Sequence, residues 1–213
     1  MRTLKLVAVS AGLSSPSSTR LLADRLLRAA RYRLAEQEYA VDVEVVELRG
    51  LAVDIANNLV TGFPSGRLQE AIDAVTGADG VIAVTPVFTA SYSGLFKSFF
   101  DLVDPTALTG TPVLIGATGG TARHSLVLDH ALRPLFAYLR ALTVPTAVYA
   151  ASEDWGSGGD EASSTGFGGE GLPARINRAG YEFADAVAAR PVREADEDEV
   201  VPFERQLAGL RLD

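Results

Sequence analysis

The stretch LKLVAVSAGLSSPSSTRLL, residues 4–22, decides the fold. Leu4 to Val9 is a short, nearly continuous apolar run ended by Ser10-Ala11-Gly12, the pattern of a strand buried on both faces of a parallel sheet. From Thr19 to about Leu34 the apolar residues Leu21, Leu22, Leu26, Leu27 and Ala30 recur at helical spacing. The opening unit is therefore strand, polar loop, helix.

The same alternation continues along the chain. Val41 to Leu48 alternates as a half-buried or edge strand, and Leu68 to Val75 reads as a helix. Gly80 to Thr85 is a buried run stopped by Pro86. Leu95 to Val103 has helical periodicity, and Pro112 to Ala117 is a buried strand ending at Thr118-Gly119-Gly120. A long helix is expected from about Ala122 to Ala141, a fifth strand over Thr146 to Ala150 and a last main helix over Arg175 to Ala189. Parallel neighbours need crossover connections that cover both faces, so this alternation predicts one doubly wound α/β domain over residues 1–190. The count fits a five-stranded parallel sheet in the order 2-1-3-4-5 better than a six-stranded dinucleotide fold. Two segments stand outside it. Residues 151–174 are rich in Gly and Ser and read as a flexible excursion, a candidate lid. Residues 191–213 form an acidic tail, with Glu194, Asp196, Glu197, Asp198 and Glu199 ahead of the short amphipathic VVPFERQLAGL.

Composition removes several classes of function. With 213 residues and 47% hydrophobic content, the chain fits one large core. Charged residues interrupt every long apolar run before the roughly 20 residues that a membrane span needs. The run after Met1 and Arg2 is too short for a secretory signal, so a soluble, cytoplasmic protein is expected. No cysteine is present, which excludes disulfides, thiolate metal sites and cysteine nucleophiles together. With only His124 and His130, no metal site is expected. The formal charge of −8 argues against nucleic acid. Any anionic ligand must be held by local donors.

Ligands of open parallel sheets bind beyond the carboxyl ends of strands where the strand order reverses. Three loops leave strands at that edge. The first, Ser10 to Arg20, carries five serines, a threonine and an arginine between a strand and a helix N-terminus. Amides at a helix start, the positive dipole end and small hydroxyls make an anion pocket that suits a phosphate monoester. A helix N-cap accounts for one of those hydroxyls and leaves a surplus. The phosphate-binding GxxxxGK[ST] and GxGxxG patterns do not occur. The second loop, Thr85 to Gly94, offers backbone groups, an aromatic side chain and small hydroxyls to the edge of a flat heteroaromatic ring. A Pro-punctuated turn before a helix capped by Ser91 or Ser93 explains it equally well. The third, Thr118-Gly119-Gly120-Thr121, permits close backbone approach, and its amides can donate to ring carbonyl oxygens of a flavin. A simple strand-to-helix turn is the alternative there.

TPVFTASYSGLFKSFFDLV (85–103) resembles the T-P-x-[YF]-x-x-S-x-x-G-x-x-K segment of the NAD(P)H-dependent FMN reductase family, whose members are flavodoxin-like. ATGGTARHSLVLDHALRPLF (117–136) resembles that family's ATGGT…H…D-x-A-L-[RK]-P-[LV] segment, characteristic of reductases that hand reduced FMN to a separate monooxygenase. With NLVTGFPS (58–65) and VPFERQLAGLRL (201–212), the pattern is similar to actinobacterial members paired with luciferase-like monooxygenases and to alkanesulfonate-system FMN reductases. The resemblance implies FMN as cofactor, NADPH or NADH as hydride donor, and a homodimer or homotetramer. It assigns Ser10, Ser17, Ser18, Thr19 and Arg20 to the FMN phosphate, and Pro86, Val87, Phe88, Thr89, Ala90 and Ser91 to the isoalloxazine border. Thr118, Gly119, Gly120 and Thr121 fall to the pyrimidine edge, and Arg123 and His124 to the nicotinamide side. No catalytic side chain is implied, because the flavin carries the chemistry.

His130 occupies the helix position at which sulfonate-system relatives form a π-bulge at a subunit interface. The plainer reading is a helix kinked because Pro134 lacks an amide for the His130 carbonyl. Lys97 matches the family lysine, and a snorkelling surface lysine explains it as well. The competing functions are a quinone or azo-compound reductase that keeps FMN bound, a non-catalytic flavin electron carrier, and an interaction module suggested only by the tail and the Gly-rich segment.

Overall fold

Alternate residues of each central strand enter opposite cores. In β1 (Thr3–Ser10), Val7 and Val9 pack on one face, while Leu4, Leu6 and Ala8 pack on the other. β3 (Gly80–Phe88) divides Val81 and Ala83 from Ile82 and Val84 in the same way. Both faces are covered, which is why these runs are continuously apolar rather than alternating. The computed structural model describes residues 3–155 and 171–191. Most of the expected 151–174 excursion and the acidic tail from 192 onward lie outside the described residues.

α1 (Ser18–Glu36) and α6 (Leu172–Ala189) cover one face with Leu22, Leu26, Ala30, Ile176 and Phe183. Gly180 makes their close approach possible, since a Cβ there would lie 2.6 Å from the Ala29 Cβ. α2 (Ala52–Thr61), α3 (Gly66–Thr76), α4 (Gly94–Phe100) and α5 (Arg133–Tyr138) cover the other. There Phe96, Phe100 and Phe136 form a fully buried aromatic cluster with centroids 4.8–6.3 Å apart.

The doubly wound parallel α/β sheet is as expected, but its count is corrected. Among the described residues it has seven strands, five of them on the path β2-β1-β3-β5-β6, where β2 is Ala40–Glu47, β5 Pro112–Gly119 and β6 Leu142–Thr143. β4 (Ser91–Tyr92) pairs antiparallel with the end of β3, and β7 (Val148–Ala151) pairs with β5. The expected fifth strand, Thr146 to Ala150, begins later, as β7 from Val148, and a short additional strand, β6, precedes it on β5. Pro145 has no amide for the ladder, and the Thr146 amide and hydroxyl donate to the Glu182 carboxylate at 3.0 and 2.8 Å. β4 exists because Thr89 and Ala90, at φ 49° and 65°, close a two-residue hairpin of the primed kind.

The long helix expected over Ala122–Ala141 is also corrected. The chain makes a 3-10 turn at Ala122–His124, a π turn at Leu128–Leu132 and only then α5. The Arg133 amide donates to the Leu128 carbonyl, five residues back. Pro134 has no amide for the His130 carbonyl, so the tighter pattern fails there. Arg133 then holds the π turn through Asp129 at 2.8 Å, the Val144 carbonyl at 3.0 Å and the Pro145 carbonyl. No helix among the described residues is long and apolar enough to cross a membrane.

Candidate functional site

β1, β3 and β5 end side by side, and the order reverses between β1 and β3. The loops after these strands therefore share one edge. The Ala11 amide still donates to the Val84 carbonyl at 3.0 Å, so the first loop leaves from a fixed point. Ser10 is buried beneath it. Ser17 is the N-cap of α1, its Oγ accepting from the Arg20 amide at 3.2 Å, and Ser18 is exposed. A Cβ on Gly12 would meet Ser17 Oγ at 2.0 Å, so the turn closes only over a glycine.

Thr19 is buried, and its Oγ1 lies 2.8 Å from Thr118 Oγ1 in the third loop. This contact joins loops 99 residues apart in sequence. Arg20 stands differently from its neighbours. Its guanidinium pairs with Asp24 at 2.8 Å and with Glu47, and the bond it donates to Asp24 holds its pKa above the ordinary arginine value. Two carboxylates already match its charge.

In the second loop, Thr85 is fully buried. Its Oγ1 donates to the Pro86 carbonyl at 3.0 Å and accepts from the Ser93 amide at 3.0 Å. Ser93 in turn caps α4, accepting from the Phe96 amide at 3.1 Å. Ser93, rather than Ser91, is the cap. These bonds pin both feet of the hairpin, whose tip presents Phe88, Thr89 and Ala90 to solvent, with Pro86, Val87 and Ser91 half-buried below. Left-handed Thr89 is costly for a β-branched residue, and such strain collects at ligand-binding loops.

In the third loop Thr118 is buried and Gly119 half-buried, while Gly120 and Thr121 are exposed. Tyr149 of β7, itself buried, donates from Oη to the Thr121 carbonyl at 2.8 Å. Burial, with a smaller contribution from Asp154, raises its phenol above the ordinary value. A Cβ on Gly120 would meet nothing within 4 Å, which leaves room above the loop. Arg123 and His124 are exposed on the 3-10 turn that follows. Lys97 pairs with Asp101 one turn along α4 and has its pKa raised by that bond. Thr85, Ser93 and Tyr149 were not readable as site residues: the two hydroxyl residues look like turn formers, and Tyr149 like any interior strand residue.

A family model described as NADPH-dependent FMN reductase matches residues 4–156. An FMN reductase (NADPH) of Pseudomonas aeruginosa is 42% identical over 151 residues, covering 71% of this chain and 78% of that protein. The NADH-dependent FMN reductase SfnF of Pseudomonas putida is 41% identical over 150 residues, 70% of this chain and 78% of that one. Among solved structures, an oxidoreductase from Corynebacterium diphtheriae superimposes with a TM-score of 0.80 at 43% identity, covering 90% of this chain and 100% of that chain.

Proposed function

The chain belongs to the NADPH-dependent FMN reductase family, and from that premise we propose that it transfers hydride from a nicotinamide dinucleotide to FMN at the open edge of its flavodoxin-like sheet. When bound, FMN supplies the hydride acceptor, so the protein's task is binding, orientation and electrostatics. The observation that carries this reading is the buried contact between Thr19 and Thr118, which draws an anion-binding loop and a glycine-bearing loop together.

The residues fit the group. At the phosphate end, the first amides of α1 and the hydroxyls of Ser17, Ser18 and Thr19, with Ser10 beneath, supply donors and a positive dipole end. Arg20 joins them only by leaving Asp24 and Glu47. Pro86 to Ser91 border the ring, held by the Thr85 and Ser93 bonds. Amides of the Thr118–Thr121 loop donate at the pyrimidine edge and favour the negative charge that reduction builds. Arg123 and His124 sit on the side from which the nicotinamide approaches. The donor we assign is NADPH, and NADH is tested beside it, because one relative is named for each.

The similarity of residues 117–136 to reductases of two-component systems supports release of reduced FMN to a partner flavin-dependent monooxygenase of the luciferase-like kind. The exposed apolar side chains Leu13 and Phe88 at the open edge, and Leu126 and Tyr138 beyond it, support a homodimer or homotetramer. The cytoplasm, where nicotinamide dinucleotides are available, is the proposed setting.

The test is an anaerobic stopped-flow trace of flavin-free protein with FMN and NADPH or NADH, followed by filtration. Reduced FMN in the filtrate supports a flavin-supplying reductase. FMN that stays with the protein and is reoxidised by quinone replaces it with the quinone-reductase reading. Absence of FMN binding refutes the site.

A further inference from the structure

Tyr149 reaches the third loop from underneath. Its ring is buried in β7, one strand away from the end of β5, and its hydroxyl donates to the Thr121 carbonyl. Its backbone is held separately. The Tyr149 carbonyl accepts from Arg175 Nη1 at 2.7 Å, and Arg175 Nη2 pairs with Asp154 at 2.8 Å. Asp154 also accepts from the Ala151 amide at 2.7 Å. The Arg175 and Asp154 side chains are only 14% and 15% exposed, so the pair is shielded from water and from salt. The first turn of α6 thus fixes the base of the tyrosine, and the tyrosine fixes the loop.

Gly119 belongs to the same device. A Cβ there would lie 2.1 Å from Tyr149 Oη and 3.1 Å from its Cζ. An alanine must therefore displace the ring that holds Thr121. A trans peptide is planar, with its C=O and N–H opposed. Pinning the Thr121 carbonyl toward Tyr149 turns the next amide, that of Ala122, to the opposite side.

We propose that Tyr149 is a positioning residue for the flavin: it sets the direction of the Thr121–Ala122 peptide, and with it the Ala122 amide that ends the Thr118–Thr121 turn, and Gly119 is required because this hydroxyl occupies the space of its side chain. The proposal rests on the FMN reading above. The phenol remains a donor throughout the neutral range, since burial raises its pKa.

The test uses the full chain as wild type, Tyr149→Phe, Gly119→Ala and the double variant. FMN is titrated by fluorescence quenching, and amide hydrogen exchange is followed over residues 118–124 in flavin-free protein. Phenylalanine keeps the ring in the core and removes the hydroxyl alone. We expect faster exchange in the loop and an FMN Kd raised roughly 3- to 10-fold, the change that one net hydrogen bond carries. We expect kcat at saturating FMN to fall alongside the rise in Kd, because an amide that favours the negative charge of reduction loses its direction. Gly119→Ala raises Kd strongly in the wild-type background and adds little in the Tyr149→Phe background. An unchanged Kd in Tyr149→Phe, with or without faster exchange, overturns the proposal, as do additive effects of the two substitutions. A wild-type chain that does not bind FMN instead overturns the FMN reading itself.

Discussion

Valine in place of Thr118 keeps the side-chain shape and removes one hydroxyl. Thr118 is 4% exposed and Thr19 is 2% exposed, with their Oγ1 atoms 2.8 Å apart. The substitution strands the Thr19 hydroxyl away from water, and an unsatisfied buried hydroxyl costs about 1–3 kcal/mol. For a chain of this size each kcal/mol lowers Tm by about 2–4 °C, so the single variant melts about 2–12 °C below wild type. Thr19→Val has the same consequence for Thr118. The double variant strands neither hydroxyl, and much of the loss returns. Urea unfolding of the four-member cycle measures the coupling, with an unchanged m-value showing that the transition itself is the same. A coupling below about 0.5 kcal/mol refutes the bond between the two loops, and with it the observation on which the shared site depends.

Three further outcomes are expected. Gly80→Ala places a Cβ 2.5 Å from Val187 Cγ2 and 2.7 Å from Phe183 Cζ, and this overpacking costs about 1–3 kcal/mol in a urea melt. Because Tyr149 has its pKa raised from 10.0 in the fold, its folded form holds the proton more tightly than its unfolded form. That stability is complete below pH 10 and is lost as pH rises through the elevated value, so Tyr149→Phe flattens the alkaline limb of stability against pH. Arg20→Gln changes the FMN Kd by less than about fivefold, because the guanidinium is already matched by Asp24 and Glu47. A hundredfold loss in an FMN titration shows instead that Arg20 transfers to the phosphate.

The parallel sheet was legible because its central strands are buried on both faces, and residues such as Val7 and Ala8 must both be apolar even though they point into different cores. α2 was not legible. Only Ile55 and Asn58 of its residues are buried, while Val53, Leu59 and Val60 are exposed, so no apolar stripe marks it. Leu51 supplies no side-chain cap, and its one clear signal is Gly62 at φ 78°. The hairpin at Thr89-Ala90 lacks the Asn-Gly or Asp-Gly pair that announces such turns. The later start of the fifth strand goes with Glu182, 36 residues beyond the Thr146 amide that it captures, and local pattern carries no trace of that.

The site shows the same division at finer grain. Gly119 and Gly120 are adjacent and alike in sequence, and both read as room for close backbone approach. In the fold they answer to different constraints. Gly119 is fixed by the protein itself, since the Tyr149 hydroxyl stands where its side chain would be. Gly120 meets no protein atom within 4 Å of a Cβ, so nothing in the described residues requires a glycine there. The space that a side chain at 120 would enter lies above the loop, and on the FMN reading that space belongs to the ring edge. A side chain at 120 therefore acts on ligand affinity while leaving the fold intact, whereas one at 119 acts on the loop first and on the ligand through it.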